Sequence, residues 1–156
     1  MDEEGKEKES EQRDAPVTIS LGKLLGKLQS LPLAEKLFCY GGIIYLAGST
    51  LPWSSSPERP GNGWTISSFQ DLANLALLAG WALQVGGLAG IGPGLNQTVL
   101  RVLRYSTPAA GLLVLLKLPS HPGLGLLLAA AGVALHGLGL YKILDARGLL
   151  PMKFTK

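Results

Sequence analysis

Cysteine occurs once in these 156 residues, at Cys39, and histidine twice, at His121 and His136. A single thiol excludes an intrachain disulfide and any cysteine-clustered zinc or iron–sulfur site, and two imidazoles with no His-Glu pattern supply too few ligands for a metal centre. Acids are scarce beyond the start of the chain. After residue 14 only Glu35, Glu58, Asp71 and Asp145 remain, and none forms the carboxylate pair that acid–base catalysis requires. No glycine loop followed by Lys, no nucleophile elbow and no basic run interleaved with aromatics is present, so nothing points to phosphate, acyl-transfer or nucleic-acid chemistry. Gly90-Ile91-Gly92-Pro93-Gly94 reads as a turn, since no strand precedes it. No cofactor is implied, and an enzyme is not expected.

Apolar residues, at 47% of the chain, are spread unevenly. Residues 1–14 hold seven acids against three bases and almost nothing apolar, a segment that cannot bury enough surface to offset its ordering entropy. Four apolar stretches, about 37–52, 72–91, 105–118 and 122–141, fill most of the remainder. Each approaches the length needed to cross ~30 Å of hydrocarbon and is bounded by Pro, charge or an aromatic. The expected organisation is a disordered acidic tail (1–15), an amphipathic interfacial helix (16–30), a domain of four transmembrane helices (31–144, with spans at about 33–52, 66–91, 98–118 and 122–142) and a C-terminal tail (145–156).

No cleavable secretory signal is expected, because the beginning is acidic and the first strongly apolar run starts near Leu37. Orientation follows from Lys and Arg. Twelve of the fourteen fall before span one, between spans two and three, or after span four, and only Arg59 and Lys117 fall on the other side. That asymmetry predicts both termini in the cytoplasm and a place in the cell membrane. Trp53 and Trp64 are then expected at the outer interface and Tyr105 and Tyr141 near the inner one.

Leu21, Leu24, Leu25 and Leu28 share one helical face, with Lys23 and Lys27 on its flank. This is the pattern of a helix lying on anionic lipid, or of one packed against the bundle or a partner. Ser30 and Pro32 read as an N-cap and an early helical proline that restart the chain as span one. Arg101, Arg104 and Lys142 join Lys23 and Lys27 as candidate contacts for anionic headgroups.

Small residues recur at helical spacing within the spans. Gly125, Ala129, Gly132, His136 and Gly139 form one narrow face of span four, Ala73, Ala76, Gly80 and Gly87 a stripe on span two, and Gly41 and Gly48 a shorter one on span one. In a bilayer such stripes mark helix–helix seams, because lipid is as apolar as Leu and close packing must supply the association. Gly80–Leu88 also aligns with Gly132–Leu140 at five of nine positions, a candidate duplication of a two-span hairpin that would put Gln84 and His136 at one depth. Pro108 either bends span three or sits in its first turn, depending on where that helix begins.

Polar residues inside spans are the default place to look for function. Here they are Asn74, Gln84 and His136, with Asp71 at the rim; Asp71, Asn74, Trp81 and Gln84 form one drifting stripe on span two. Ser68-Phe69-Gln70-Asp71 resembles a capping box, which gives Asp71 a structural role; an ion or proton site is the alternative. For the other three, interhelical hydrogen bonds stand against a transport site near Gln84 and His136.

The Leu51-Pro52-Trp53 that ends span one, the Gly63-Trp64 of the following loop and the arginines of the second connection together resemble the small four-span integral membrane proteins of bacteria. The resemblance covers about residues 34–144 and implies a membrane bundle; that group has no assigned activity, so no functional residue is carried over. The acidic tail and the amphipathic segment lie outside its pattern. The expected function is a non-enzymatic structural or accessory subunit with a membrane-protein partner or a second copy of itself, and the competing one a small-molecule or ion channel or carrier.

Overall fold

The computed structural model describes residues 20–54, 61–64, 68–116 and 122–150. The acidic tail, the start of the amphipathic segment and residues 151–156 lie outside them. Among the described residues five helices appear in order: α1 (Leu21–Ser30), α2 (Leu33–Thr50), α3 (Ser68–Ala89), α4 (Gln97–Leu116) and α5 (Leu124–Ala146). There is no strand among the described residues, only isolated bridges at Pro52–Asn62 and Ser54–Pro122.

Among the described residues three helices are long and apolar enough to cross a membrane, at Asp71–Ala89, Gln97–Leu116 and Leu124–Ala146. Four were expected. The missing one is α2, whose 18 residues carry Glu35 and Lys36 in the first turn and two tyrosines, Ser49 and Thr50 further on, so it has no apolar stretch to spare. The other boundaries fall within a few residues of those expected, α5 running furthest beyond its predicted end.

Packing joins the four longer helices in a ring, α2 to α3, α3 to α4, α4 to α5 and α5 back to α2. The last contact is by far the closest. A methyl group placed on Gly48 would overlap the backbone of Ala129 and Gly125, one on Gly41 that of His136 and Gly132, and one on Gly139 that of Phe38 and Ala34. These pairs run in opposite directions along the two helices, so α2 and α5 are antiparallel and touch backbone to backbone over most of their length. The stripes predicted on spans one and four are the two sides of this seam. The stripe on α3 faces elsewhere: Gly80 lies against the Leu103 side chain of α4, and Gly87 against Gly94 in the turn that follows.

Turn chemistry follows the glycines where the backbone needs them. At Gly90 (φ 80) the Ile91 amide reaches the Gly86 carbonyl (2.9 Å) and the Gly90 amide that of Gly87 (3.1 Å); Gly148 (φ 66) ends α5 in the same way, through Leu149 to Leu144 (2.8 Å). Both are left-handed helix ends that a Cβ would strain.

Two local expectations change, those for Ser30 and Trp53, and the alternative left open at Pro108 is decided. Ser30 does not cap α2; its hydroxyl donates back to the Lys27 carbonyl (2.8 Å) and closes α1, while Pro32 holds the N-cap position. Pro108 lies in the interior of α4, because that helix starts at Gln97. Trp53 is not an interfacial anchor. It is fully buried, with Nε1 donating to the Gly48 carbonyl (3.0 Å) and its backbone bonded to Gly61 and Gly123 (2.8 and 2.7 Å), so this end of the packing is closed by the chain folding back on itself.

Gly132→Leu puts an isobutyl group against the Tyr45 amide and the Gly41 carbonyl, both backbone atoms that cannot turn aside. It should destabilise the protein by about 3 kcal/mol or more, the upper range for overpacking. Thermal unfolding in mild detergent measures this, and an unchanged midpoint would mean that the seam is not close-packed.

Candidate functional site

The three candidate polar residues all enter the helix packing, at three different levels. Asn74 and Gln84 lie on the face of α3 turned toward α2, and His136 on the face of α5 in the glycine seam. No hydrogen bond joins Gln84 to His136. Their partners, Glu35 and Phe38, sit three residues apart on α2.

At the Trp53 end, Asn74 is fully buried. Its amide donates to the Gly63 carbonyl (2.8 Å), and its carbonyl oxygen accepts from the Tyr45 hydroxyl. Tyr45 lies one turn from both Gly41 and Gly48 on the seam face, which is why its hydroxyl cannot reach water and must meet a partner within the protein. The loop is tied in nearby, with Trp64 Nε1 donating to Ser49 Oγ (3.1 Å) and the Gly63 amide to the Ser49 carbonyl (2.9 Å). Asp71, expected to cap α3, has a buried Oδ1 with no hydrogen-bond partner among the described residues.

Midway along the seam, His136 is 1% exposed and its ring stacks on Phe38, with centroids 3.8 Å apart at 31°. Nδ1 lies 3.0 Å from the Phe38 carbonyl. A carbonyl only accepts, so Nδ1 carries the proton and Nε2 is left as a bare acceptor. Nε2 has no partner among the described residues, and neither do two other buried groups, Trp81 Nε1 on α3 and Thr107 Oγ1 on α4. Trp81 packs against Gly42, the neighbour of Gly41 in the seam.

At the opposite end lies a group that the sequence left unassembled. Gln84 Nε2 donates to Glu35 Oε2 (3.0 Å), and Glu35 Oε1 is 3.9 Å from Arg147 Nη2. Arg147 also donates through Nη1 to the Leu95 carbonyl, joining the loop after α3 to the end of α5. Two more cations hold carbonyls here: Lys27 Nζ donates to Leu88 O (2.7 Å) and Arg104 Nη1 to Leu149 O (2.8 Å). Each meets backbone acceptors at or beyond a helix C-terminus, where positive charge is favoured. Lys27 and Arg104, read from sequence as lipid contacts, therefore also fasten the chain to itself, whereas Lys23, Arg101 and Lys142 are exposed.

The Glu35 group had one sequence signal. A lone acid in the first turn of a short apolar helix needs a donor, and Gln84 and Arg147 are the donors whose positions end at the same level. Chemically, the arrangement locks helices together. No nucleophile, base and electrophile converge in it. No protein-family model, curated protein or solved structure matches the chain.

The lysines of α1 separate anchoring from surface charge. Lys27→Glu should loosen α1 in any lipid, because its tie to Leu88 is lost, whereas Lys23→Glu should do so only on an anionic surface, at about 1 kcal/mol. Hydrogen exchange of residues 21–30 in neutral and anionic nanodiscs distinguishes the two, and equal behaviour of both variants would contradict it.

Proposed function

We propose that this chain is a multi-pass protein of the cell membrane in which all four longer helices span the bilayer, acting as a non-enzymatic structural or accessory subunit. The observation that carries this reading is how the polar residues are used. Asn74, Gln84 and His136 each bond across to α2 or its loop, as residues do when interhelical adhesion is their role. In this reading α2 crosses with Glu35 and Lys36 at headgroup level: Glu35 is matched by Gln84 and Arg147, and 18 residues reach roughly 27 Å. Every Lys and Arg among the described residues lies at the Arg147 end, where α1 and the end of α5 also lie. That supports a cytoplasmic location for both termini. There the bases of α1 and of the helix ends are offered to anionic headgroups, and α1 with the acidic segment before it to a membrane-protein partner or a second copy; nucleic acid has no part in it.

Single cysteines test the topology. In a Cys39→Ser background, Ser56→Cys and Ser120→Cys should react with an impermeant maleimide from outside intact cells, and Ser10→Cys and Leu150→Cys should not. Reaction at position 10 or 150 would overturn the orientation. Affinity purification in mild detergent addresses the accessory role, for which a stoichiometric membrane-protein partner is the expected outcome.

A channel or carrier is the second reading, favoured by the unpartnered atoms of His136, Trp81 and Thr107 on three different helices. If His136 only binds α5 to α2, His136→Gln keeps a donor for the Phe38 carbonyl and should change stability by about 1 kcal/mol or less. Proteoliposomes of either form should then show no proton flux. A pH-dependent flux abolished in a folded His136→Gln protein would instead establish transport.

A further inference from the structure

α4 and α5 meet far less closely than α2 and α5, and a groove of about 440 Å³ opens between them. Arg104 and Tyr141 stand at its mouth, and Pro108, Val133, Gly137 and Leu140 are among its walls. A second hollow of about 360 Å³ shares Pro108, Gly111 and Val133 with the first and carries the track on to Leu115 and Ala130. We propose that this track is a binding site for one anionic phospholipid, with an acyl chain lying between α4 and α5 and its phosphate on Arg104. The proposal rests on the membrane-spanning reading above.

Length, charge and an orphaned hydroxyl all favour that occupant. From Arg104 to Leu115 the track covers eleven residues, roughly 16 Å, which is about half of a ~30 Å hydrocarbon layer and so one leaflet deep. The Arg104 guanidinium is held in place, Nη1 on the Leu149 carbonyl (2.8 Å) and the cation 4.8 Å above the Tyr105 ring, with its other N–H groups left for a phosphate. Among the described residues, no carboxylate lines either hollow to compete for it. One turn deeper, Thr107 is 3% exposed, lines the same groove and has a hydroxyl without a partner among the described residues. A glycerol ester carbonyl, one step below the phosphate in a lipid, is the acceptor that this level of the bilayer supplies.

Gly137 provides the means of test. A Cβ there would meet nothing within 4 Å, so Gly137→Leu fills the groove without disturbing the helix contacts. The full chain in mild detergent, titrated with dioleoyl phosphatidylglycerol or dioleoyl phosphatidylcholine and read by native mass spectrometry, should retain one phosphatidylglycerol in preference to phosphatidylcholine. Arg104→Gln should cut that preference about fivefold. Thr107→Val should weaken both lipids about threefold and leave the preference intact. Gly137→Leu should abolish the retained lipid with an unchanged thermal midpoint. Equal retention of the two lipids by the parent chain, or full retention by Gly137→Leu, would overturn the site. So would a lipid-free dimer that Gly137→Leu dissociates, since the groove would then be a protein seam. Extraction of the chain from membranes by alkaline carbonate would defeat the membrane reading itself; a carbonate-resistant chain without the lipid adduct defeats only this inference.

Discussion

Backbone contact between α2 and α5 is the constraint on which the remaining structure depends. Two helices approach this closely only where side chains are absent at the crossing, and Gly41, Gly48, Gly132 and Gly139 supply that absence on both sides. Once the axes are fixed, the larger residues on the same face have little choice. Phe38 and His136 must stack, and Tyr45 must send its hydroxyl to α3 and meet Asn74 there. Gly123 and Gly125 extend the approach past the end of α2 to Leu51, Pro52 and Trp53, which is how the indole becomes enclosed.

Polar groups then divide the work by depth. Near Trp53 they tie a loop to helix ends, and near Arg147 cations collect carbonyls at and beyond the ends of α3 and α5. The middle of the seam is different, because His136 satisfies one ring nitrogen and strands the other. The apolar core is correspondingly split, into one cluster around Tyr45, Trp53 and Leu126 and another around Phe38, Leu100 and Ile143.

Much of this was legible in the sequence. The all-helical class, the helix order and the seam faces followed from apolar run length and from glycine spacing, both of which are local properties. The identity of partners was not, since spacing says which residues share a face and not which face opposes it; thus Gln84 was matched with His136 through a repeat, while the fold gives it Glu35. Trp53 misled for a related reason. An aromatic after a Leu-Pro reads as an anchor at a membrane surface, and only the return of the chain at Gly61 and Gly123 shows it enclosed. For α2 the apolar run reads as a span, yet Glu35 and Lys36 in its first turn leave it short of the apolar length that the other three long helices have.

The tightest contact also joins the two long helices furthest apart in the chain: His136 and the Phe38 carbonyl are separated by 98 positions. During synthesis α2 therefore emerges long before α5 exists, with its glycine face unmatched and Glu35 lacking Arg147. Helices α3 and α4 have to be produced first, and α3 alone can offer α2 a temporary neighbour, through Trp81 on Gly42 and Gln84 on Glu35. Arrival of α5 then completes the ring in a single step, so nascent chains that stop short of it would leave α2 without its closest partner and its glycine face open to quality-control proteases.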